Sequence, residues 1–226
     1  MSGPSLSSEP YFVGIRTTIG LPLPRRRRLP LPTVVELLWA FVGFALTVAG
    51  TLIQLSIPDR PPQVVALDVW PPFIAWSFQP QYVFSLQVAA VLLGGCIGGP
   101  VAGGLAQVAY LAVGLAGFAV FADGGGPAYL HLPQVGYLLA FAPAASLTGY
   151  LAFRCRAGLR WLALSALAGL LVIHLGGLVG LALHLPPGQP LLQAALHFSG
   201  LPLAGHLLCV AIAAVGGWCV RKLLVS

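Results

Sequence analysis

Side chains that could do chemistry are scarce in this chain, and their types favour binding over catalysis. His206 can donate and accept a hydrogen bond, and in its protonated form it could pair with a carboxylate. A hydrogen bond to a neighbouring helix would use the same ring equally well. His131, His174, His184 and His197 are not grouped at metal-ligand spacing, so we expect no metal site.

A short loop motif supplies the next candidates. Asp123 could accept a hydrogen bond from a ligand N–H, or it could be an ordinary solvated loop carboxylate. Gly124, Gly125 and Gly126 follow it directly. Glycines permit positive φ and a close approach of a ligand to the backbone, although a simple turn would use the same residues. We count all four as candidate binding residues.

Two tyrosines and two glutamines complete the set of candidates. Tyr129 and Tyr137 each combine a flat apolar face with a hydroxyl, which suits stacking on a ligand ring and equally suits an interfacial aromatic belt. Gln87 and Gln134 lie near the outer ends of predicted helices. Their amides could bind a polar ligand group or another helix.

The sequence lacks two patterns that are typical of enzymes. Ser199 lies two residues after His197, but not in the G-x-S-x-G context of a nucleophile elbow. A phosphate-binding G-x-x-x-x-G-K-[ST] loop is also missing. We therefore expect neither a hydrolase nor an ATPase, and no cofactor.

The elements that position these residues are predicted to be membrane helices. Of the 226 residues, 58% are hydrophobic and 7% are charged. That charged fraction is roughly a quarter of the share in a soluble domain. The composition predicts an all-α integral membrane protein, and its long apolar stretches fit six transmembrane helices.

The basic residues indicate how these helices are oriented. The formal net charge is +6, but the basic residues lie at the ends of apolar stretches and are not interleaved with aromatic residues, so we expect contacts with membrane lipid and none with nucleic acid. With both termini cytoplasmic, ten of the eleven Lys and Arg residues fall on the cytoplasmic side, as the positive-inside rule requires. These ten are Arg16, Arg25, Arg26, Arg27, Arg28, Arg154, Arg156, Arg160, Arg221 and Lys222, and Arg60 alone falls outside.

The chain divides into a tail and a membrane domain. Residues 1–33 are rich in Ser, Pro and Arg and are expected to form a disordered, basic cytoplasmic tail. Thr33 and Glu36 form a T-x-x-E capping box that marks the start of the first helix and of the domain 34–226. Residues 55–80 and 186–200 are expected to be outer segments. The six helices are predicted at about 34–54, 82–97, 101–121, 134–153, 161–185 and 201–224.

Small residues recur at a spacing of four in two helices. Gly176 and Gly180 form a G-x-x-x-G pattern, and Ala45 and Ala49 form the corresponding alanine pattern. Such patterns allow close helix contacts, either within one bundle or with a partner subunit.

A succession of motifs after residue 85 resembles one family of membrane proteins. It begins with Ser85-Leu86-Gln87 and the turn Gly94 to Pro100. It continues with Tyr110-Leu111, the run Gly114 to Gly117, the glycine loop, and Gly136-Tyr137. In order and spacing these motifs are similar to BioY proteins, the substrate-binding S components of energy-coupling factor (ECF) biotin transporters. The resemblance covers residues 82–153 well and the last two helices loosely.

The resemblance implies a compact six-helix bundle that binds biotin near its outer face, beneath the loop between helices 1 and 2. A separate coupling subunit and ATPase subunits would power uptake across the plasma membrane. Family members dock the coupling subunit through an A-x-x-x-A pattern on helix 1, which Ala45 and Ala49 match.

The chain also departs from the family at positions that contact ligand. Gly124 stands where relatives often have Asn, and Leu138 where an Arg can occur. His206 and Cys209 replace the Asp and Lys of the last helix. These departures leave two alternatives open: an S component for a different vitamin, or a membrane helper subunit without a transport role.

Overall fold

The computed structural model describes residues 31–58, 63–66, 74–77, 80–155 and 158–225. The predicted tail lies outside these residues, except for positions 31–33. Part of the predicted charge asymmetry also lies outside them, namely Arg16, Arg25 to Arg28, Arg60 and Arg156.

Helices make up most of the described chain. They are α1 (Val34–Leu52), α2 (Gln87–Leu115), α3 (Val135–Leu139), α4 (Phe141–Ala152), α5 (Leu159–His184), α6 (Gln189–Ala195) and α7 (Leu203–Val225). A 3-10 helix covers Pro127–His131, and a π-helical turn covers Leu196–Gly200. Five helical segments of the described chain are long and apolar enough to cross a membrane. They are Val34–Leu52, Gln87–Leu115, Val135–Ala152, Leu159–His184 and Gln189–Leu224. The number six and the orientation of the termini stay predictions.

The predicted start of α1 is confirmed by its capping box. The Thr33 hydroxyl accepts a hydrogen bond from the Glu36 backbone N–H at 3.2 Å, and the Glu36 carboxylate accepts one from the Thr33 backbone N–H at 2.7 Å. These bonds satisfy N–H groups that have no partner inside the helix.

Two helices predicted on either side of Gly98-Gly99-Pro100 form one element, α2, which is interrupted at Gly99. Gly99 has φ 81° and ψ −175°, outside the helical region. A Cβ built on Gly103 would lie 3.0 Å from the Cα of Gly95, whereas residues eight apart in a straight helix are about 12 Å apart. The two segments of α2 therefore pack against each other through glycines.

Residues 55–80 were expected to be an outer segment without helix or strand, but their described parts form strands. Their position outside the membrane stays a prediction. Strand β1 (Gln54–Pro58) pairs antiparallel with β4 (Pro80–Ser85), and β2 (Gln63–Ala66) pairs antiparallel with β3 (Ile74–Ser77). Pairing in ladders satisfies backbone groups that an irregular loop would leave exposed. The second predicted helix consequently begins at Gln87 and not at Tyr82.

Residues 186–200, expected to be an outer segment, include α6 and the π-helical turn, which were not predicted. Their outer placement stays a prediction. Pro190 lies in the first turn of α6, where its fixed φ favours a helix start. Pro202 has no N–H to donate to the carbonyl four residues earlier. Instead, the N–H of Leu201 donates to the carbonyl of Leu196 at 2.8 Å, and this bond closes the wider turn.

The glycine pair of α5 packs inside the bundle. A Cβ built on Gly180 would lie 2.5 Å from the Cα of Gly136 in α3, and one built on Gly176 would lie 2.6 Å from the Cβ of Ala140. The G-x-x-x-G pattern therefore serves internal packing.

Basic and aromatic side chains gather where α4 ends, α5 begins and α7 ends. Arg221 donates from Nη1 to the carbonyl of Ala152 at 2.9 Å and lies 4.2 Å from the ring centroid of Phe153. A Cβ on Gly99 would lie 3.7 Å from the Phe153 ring, so the break in α2 lies beside the end of α4. We call this side of the bundle the basic end, defined by Arg154, Arg160, Arg221 and Lys222.

Candidate ligand-binding cavity

A cavity of about 440 Å³ lies at the other end of the helices. Phe141 and His206, in the first turns of α4 and α7, line it, whereas Ala152 and Arg221, near the last turns of the same helices, bond to each other at the basic end. The volume is within the range of roughly 300–1,000 Å³ that is typical of small-molecule sites. The lining residues are Gln54, Phe84, Ser85, Gln87, Val88, Ala122, Asp123, Tyr129, Gln134, Tyr137, Leu138, Phe141, Ile173, His197, Phe198, Leu201, Pro202 and His206.

Six of the nine predicted ligand-binding residues meet in this cavity. They are Gln87, Asp123, Tyr129, Gln134, Tyr137 and His206. They come from the start of α2, the loop after α2, the 3-10 helix, the start of α3 and the start of α7. The structure brings them together, while their role in binding stays a prediction.

The three predicted glycines are not among the lining residues. Gly124 and Gly126 have positive φ values of 111° and 106°, and the N–H of Gly126 donates to the carbonyl of Gly114 at 2.7 Å. A Cβ on Gly125 would overlap the carbonyl oxygen of Phe118. The glycines therefore shape the tight turn that carries Asp123 towards the cavity.

Asp123 and Tyr129 form one polar part of the lining. The Tyr129 hydroxyl donates to the Asp123 carboxylate at 3.4 Å, and the Tyr129 ring packs on Phe121 with a centroid distance of 4.7 Å. Burial of the Tyr129 hydroxyl, together with the charge of Asp123, raises the pKa of Tyr129 above its ordinary value. The hydroxyl therefore stays protonated and keeps its hydrogen bond to Asp123.

Gln87 is held by hydrogen bonds that reach α1. Its Nε2 donates to the Tyr110 hydroxyl at 2.8 Å, and that hydroxyl donates to the carbonyl of Val120 at 2.8 Å. The Tyr110 hydroxyl is also 3.1 Å from the Thr51 hydroxyl near the end of α1. One fixed tyrosine thus connects the cavity lining, the loop after α2 and the first helix.

A chain of hydrogen bonds that was not predicted from the sequence lies beside the cavity. The Tyr137 hydroxyl is 2.6 Å from the Ser199 hydroxyl, which is 2.9 Å from Nδ1 of His174. Nε2 of His174 is 3.3 Å from Nδ1 of His206. The helical spacing of His174 with the buried residues Leu170 and Gly177 would have indicated an inward position. Ser199 could not be found in this way, because its π-helical turn was not predicted.

Ser199 therefore pairs with His174 and not with His197, the partner considered in the hydrolase hypothesis. Its hydroxyl is engaged from two sides, by Tyr137 and His174, and Ser199 is not among the residues that line the cavity. A nucleophile must reach its substrate, so this geometry favours a structural hydroxyl.

Gly177 makes room for the Tyr137 ring. A Cβ built on Gly177 would overlap three carbons of that ring. The ring also lies edge-on to His174 and 6.0 Å from the Phe198 ring centroid. Tyr137 is therefore held in one orientation by its neighbours.

The described residues that line the cavity include one acidic side chain and no Lys or Arg. Among the described residues that line the cavity, Asp123 is the only Asp, Glu, Lys or Arg. Leu138 lies in the lining and supplies only apolar contact. Cys209 is buried in the hydrophobic core and does not line the cavity.

Membrane-length helices that enclose a small-molecule cavity at one end define a helical membrane protein built to hold a small ligand. The chain belongs to the BioY family, whose family model matches residues 25–225. Family membership and the apolar helices make it a multi-pass protein of the plasma membrane.

Two curated proteins and one solved structure are similar to this chain. An uncharacterized 21.2 kDa protein from the psbX-ycf33 intergenic region of Cyanophora paradoxa is 26% identical over 83% of this chain and 95% of its own length. A probable biotin transporter BioY of Lysinibacillus sphaericus is 36% identical over 47% of this chain and 43% of its own length. The S-component for biotin from an ECF-type ABC transporter superposes with a TM-score of 0.58 at 21% identity, over 83% of this chain and 90% of that one.

Proposed function

We propose that this protein is the substrate-binding S component of an ECF-type importer and that it binds biotin in the cavity described above. The observation that carries the proposal is the meeting of six polar side chains from five parts of the chain in one cavity of a BioY-family protein. The names of the similar Lysinibacillus protein and of the similar solved structure support biotin as the ligand. Aromatic and aliphatic lining residues such as Phe84, Phe141 and Ile173 suit the apolar ring of that molecule.

The proposed site opens on the outer face of the membrane. The four described basic residues lie at the basic end, and the cavity lies at the other end of the same helices. Cytoplasmic ends of membrane helices are the ones enriched in Lys and Arg. Gln54, Phe84 and Ser85, at the base of the β1–β4 pair, also line the cavity, which fits a strand-containing cap above the ligand.

Energy for transport would come from partner subunits, with α1 as the docking surface for the coupling subunit. Ala45 and Ala49 are exposed, whereas Gly43, Thr47 and Gly50 are buried against the bundle. The alanine pattern therefore faces away from the protein's own core. Small exposed residues at this spacing permit close contact with a partner helix, and separate ATPase subunits would then act through that partner.

A different vitamin is the second candidate ligand. Asp123 would repel a carboxylate, and no described Lys or Arg among the lining residues would compensate it. A ligand without a carboxylate, or biotin held with its carboxylate away from Asp123, fits this lining better.

Equilibrium binding of labelled biotin to the purified protein tests the proposal. Saturable binding that excess unlabelled biotin displaces is the expected result. If biotin does not bind but the protein still co-purifies with a coupling subunit, the ligand is another vitamin. If both properties are absent, the protein is a helper subunit and the transport proposal is wrong.

A further inference from the structure

Four side chains from four elements form one continuous hydrogen-bonded chain, in the order Tyr137, Ser199, His174 and His206. Its two ends, Tyr137 and His206, line the cavity, whereas Ser199 and His174 are not among the lining residues. His174 is only 9% exposed. The middle of the chain can therefore influence a ligand only through its two ends.

The hydrogens in this chain can be arranged in two directions. In the first, Tyr137 donates to Ser199, which donates to Nδ1 of His174. Nε2 of His174 then donates to Nδ1 of His206, so Nε2–H of His206 is left as a donor and the Tyr137 oxygen as an acceptor. In the second direction every role is reversed. In both, the neutral chain presents one donor and one acceptor to the cavity.

The surroundings of the two histidines favour the neutral form. In the described part of the chain, neither ring bonds to a carboxylate; their polar partners are Ser199 and each other. A buried charge without a partner is costly. A neutral pair of rings therefore satisfies the observed contacts with the least desolvation.

We propose that the Tyr137–Ser199–His174–His206 chain recognises a ligand group that offers both an N–H and a C=O. Ser199 and His174 act in it as positioning residues, which fix the hydrogen-bonding roles of the two ends. The inference rests on the proposed function, and for biotin the group is the ureido ring. The ionised carboxylate of biotin offers acceptors only, so it would match one end of the chain and leave the other unpaired.

Substitution of Ser199 tests this inference without removing either lining side chain. Biotin and biotinamide, which lacks the carboxylate charge but keeps the ureido ring, are the two probes. Ser199→Ala is expected to weaken the binding of both probes equally, by about fivefold to tenfold, which is the effect of one lost hydrogen bond. Ser199→Thr retains the hydroxyl and is expected to restore most of the affinity for both.

Ser165→Ala is the matched control. The Ser165 hydroxyl donates within its own helix, to the carbonyl of Trp161 at 2.8 Å, and Ser165 does not line the cavity. The Ser165→Ala variant should bind both probes with wild-type affinity. Unchanged affinity of Ser199→Ala for both probes would overturn the inference. A loss of affinity for biotin but not for biotinamide would also overturn it, because the hydrogen-bonded chain would then bind the carboxylate. If the wild type binds neither probe, the proposed function itself fails and the ureido assignment falls with it.

Discussion

Two polar groupings give the cavity two kinds of hydrogen-bonding surface. Asp123 offers a carboxylate, with the Tyr129 hydroxyl as its donor. His206 and Tyr137 are the ends of the other grouping and are joined through the buried His174 and the half-buried Ser199. Neither joining side chain has a charged partner among the described residues. A ligand with several N–H groups and an apolar ring can satisfy both groupings at once, whereas a purely anionic ligand cannot.

His206→Ala and Tyr137→Ala are each expected to lower biotin affinity by about tenfold, since each removes one end of the hydrogen-bonded chain and leaves its neighbour unpaired. Folding should be retained, because both side chains are only half-buried. Titration of labelled biotin measures the affinity, and the elution profile in detergent reports folding.

Matched controls come from the same residue types elsewhere. His131 and Tyr150 are exposed, and neither lines the cavity, so His131→Ala and Tyr150→Ala should keep wild-type affinity. Wild-type dissociation constants in both His206→Ala and Tyr137→Ala would remove these residues from the site.

The candidate residues could be predicted to different extents from the sequence. Tyr137, Gln87 and His206 stand out because a polar side chain in an apolar stretch is unusual, and all three line the cavity. His174 and Ser199 were considered only for a metal site and for hydrolysis, because the contact between them joins residues 25 apart in sequence and leaves no local motif. Motifs describe neighbours in sequence, whereas this hydrogen-bonded chain forms only when distant helices pack together.

At the scale of elements, glycines determine how closely the helices pack. Gly95 meets Gly103 across the break in α2, and Gly136 meets Gly180 between α3 and α5. These contacts draw the start of α3, which carries Tyr137, against the helix that carries His174. The site therefore depends on close backbone contacts as well as on its polar residues.

Gly99→Ala is expected to destabilise the protein by about 1–3 kcal/mol, because φ 81° with ψ −175° is a conformation that residues other than glycine adopt only with strain. Steric overlap is not the cause, since the added Cβ would lie 3.7 Å from the Phe153 ring. A thermal unfolding scan in detergent should show a lower midpoint.

Gly94→Ala provides the comparison within the same helix. Its Cβ would meet the Cα of Gly43 at an ordinary 3.7 Å, and its backbone is helical, so alanine should be tolerated or slightly stabilising. Equal unfolding midpoints for Gly99→Ala and the wild type would contradict the strain argument.

Element boundaries were predictable where local chemistry sets them. The capping box fixed the start of α1 at Thr33, and the Gly98-Gly99-Pro100 motif located the break in α2. The strands between α1 and α2 were not predicted, because many prolines in that segment argue against a sheet. Their pairing joins residues as far apart as Gln54 and Ser85, and such long-range pairs leave little local signal.

At the scale of the whole molecule, the described Lys and Arg residues and the cavity lie at opposite ends of the same helices. α4 and α7 each begin beside the cavity and end at the basic end. Arg221, Arg154 and Lys222 lie over the aromatic rings of Phe153, Tyr150 and Trp218, as residues at a lipid interface commonly do. The side of the membrane on which the basic end lies therefore determines from which side a ligand would enter the cavity.

The exposed face of α1 is the surface on which the proposed partner docking can be tested. Ala45→Trp and Ala49→Trp should each abolish co-purification with the coupling subunit, since an indole ring would hold the two helices apart. Biotin binding should be retained, because both alanines face away from the buried side of α1. Ala182 is also exposed, on α5, so Ala182→Trp controls for added bulk on the membrane surface and should co-purify normally. If the Ala45 and Ala49 variants still co-purify with the coupling subunit, that subunit docks on another helix, and the alanine pattern of α1 faces lipid alone.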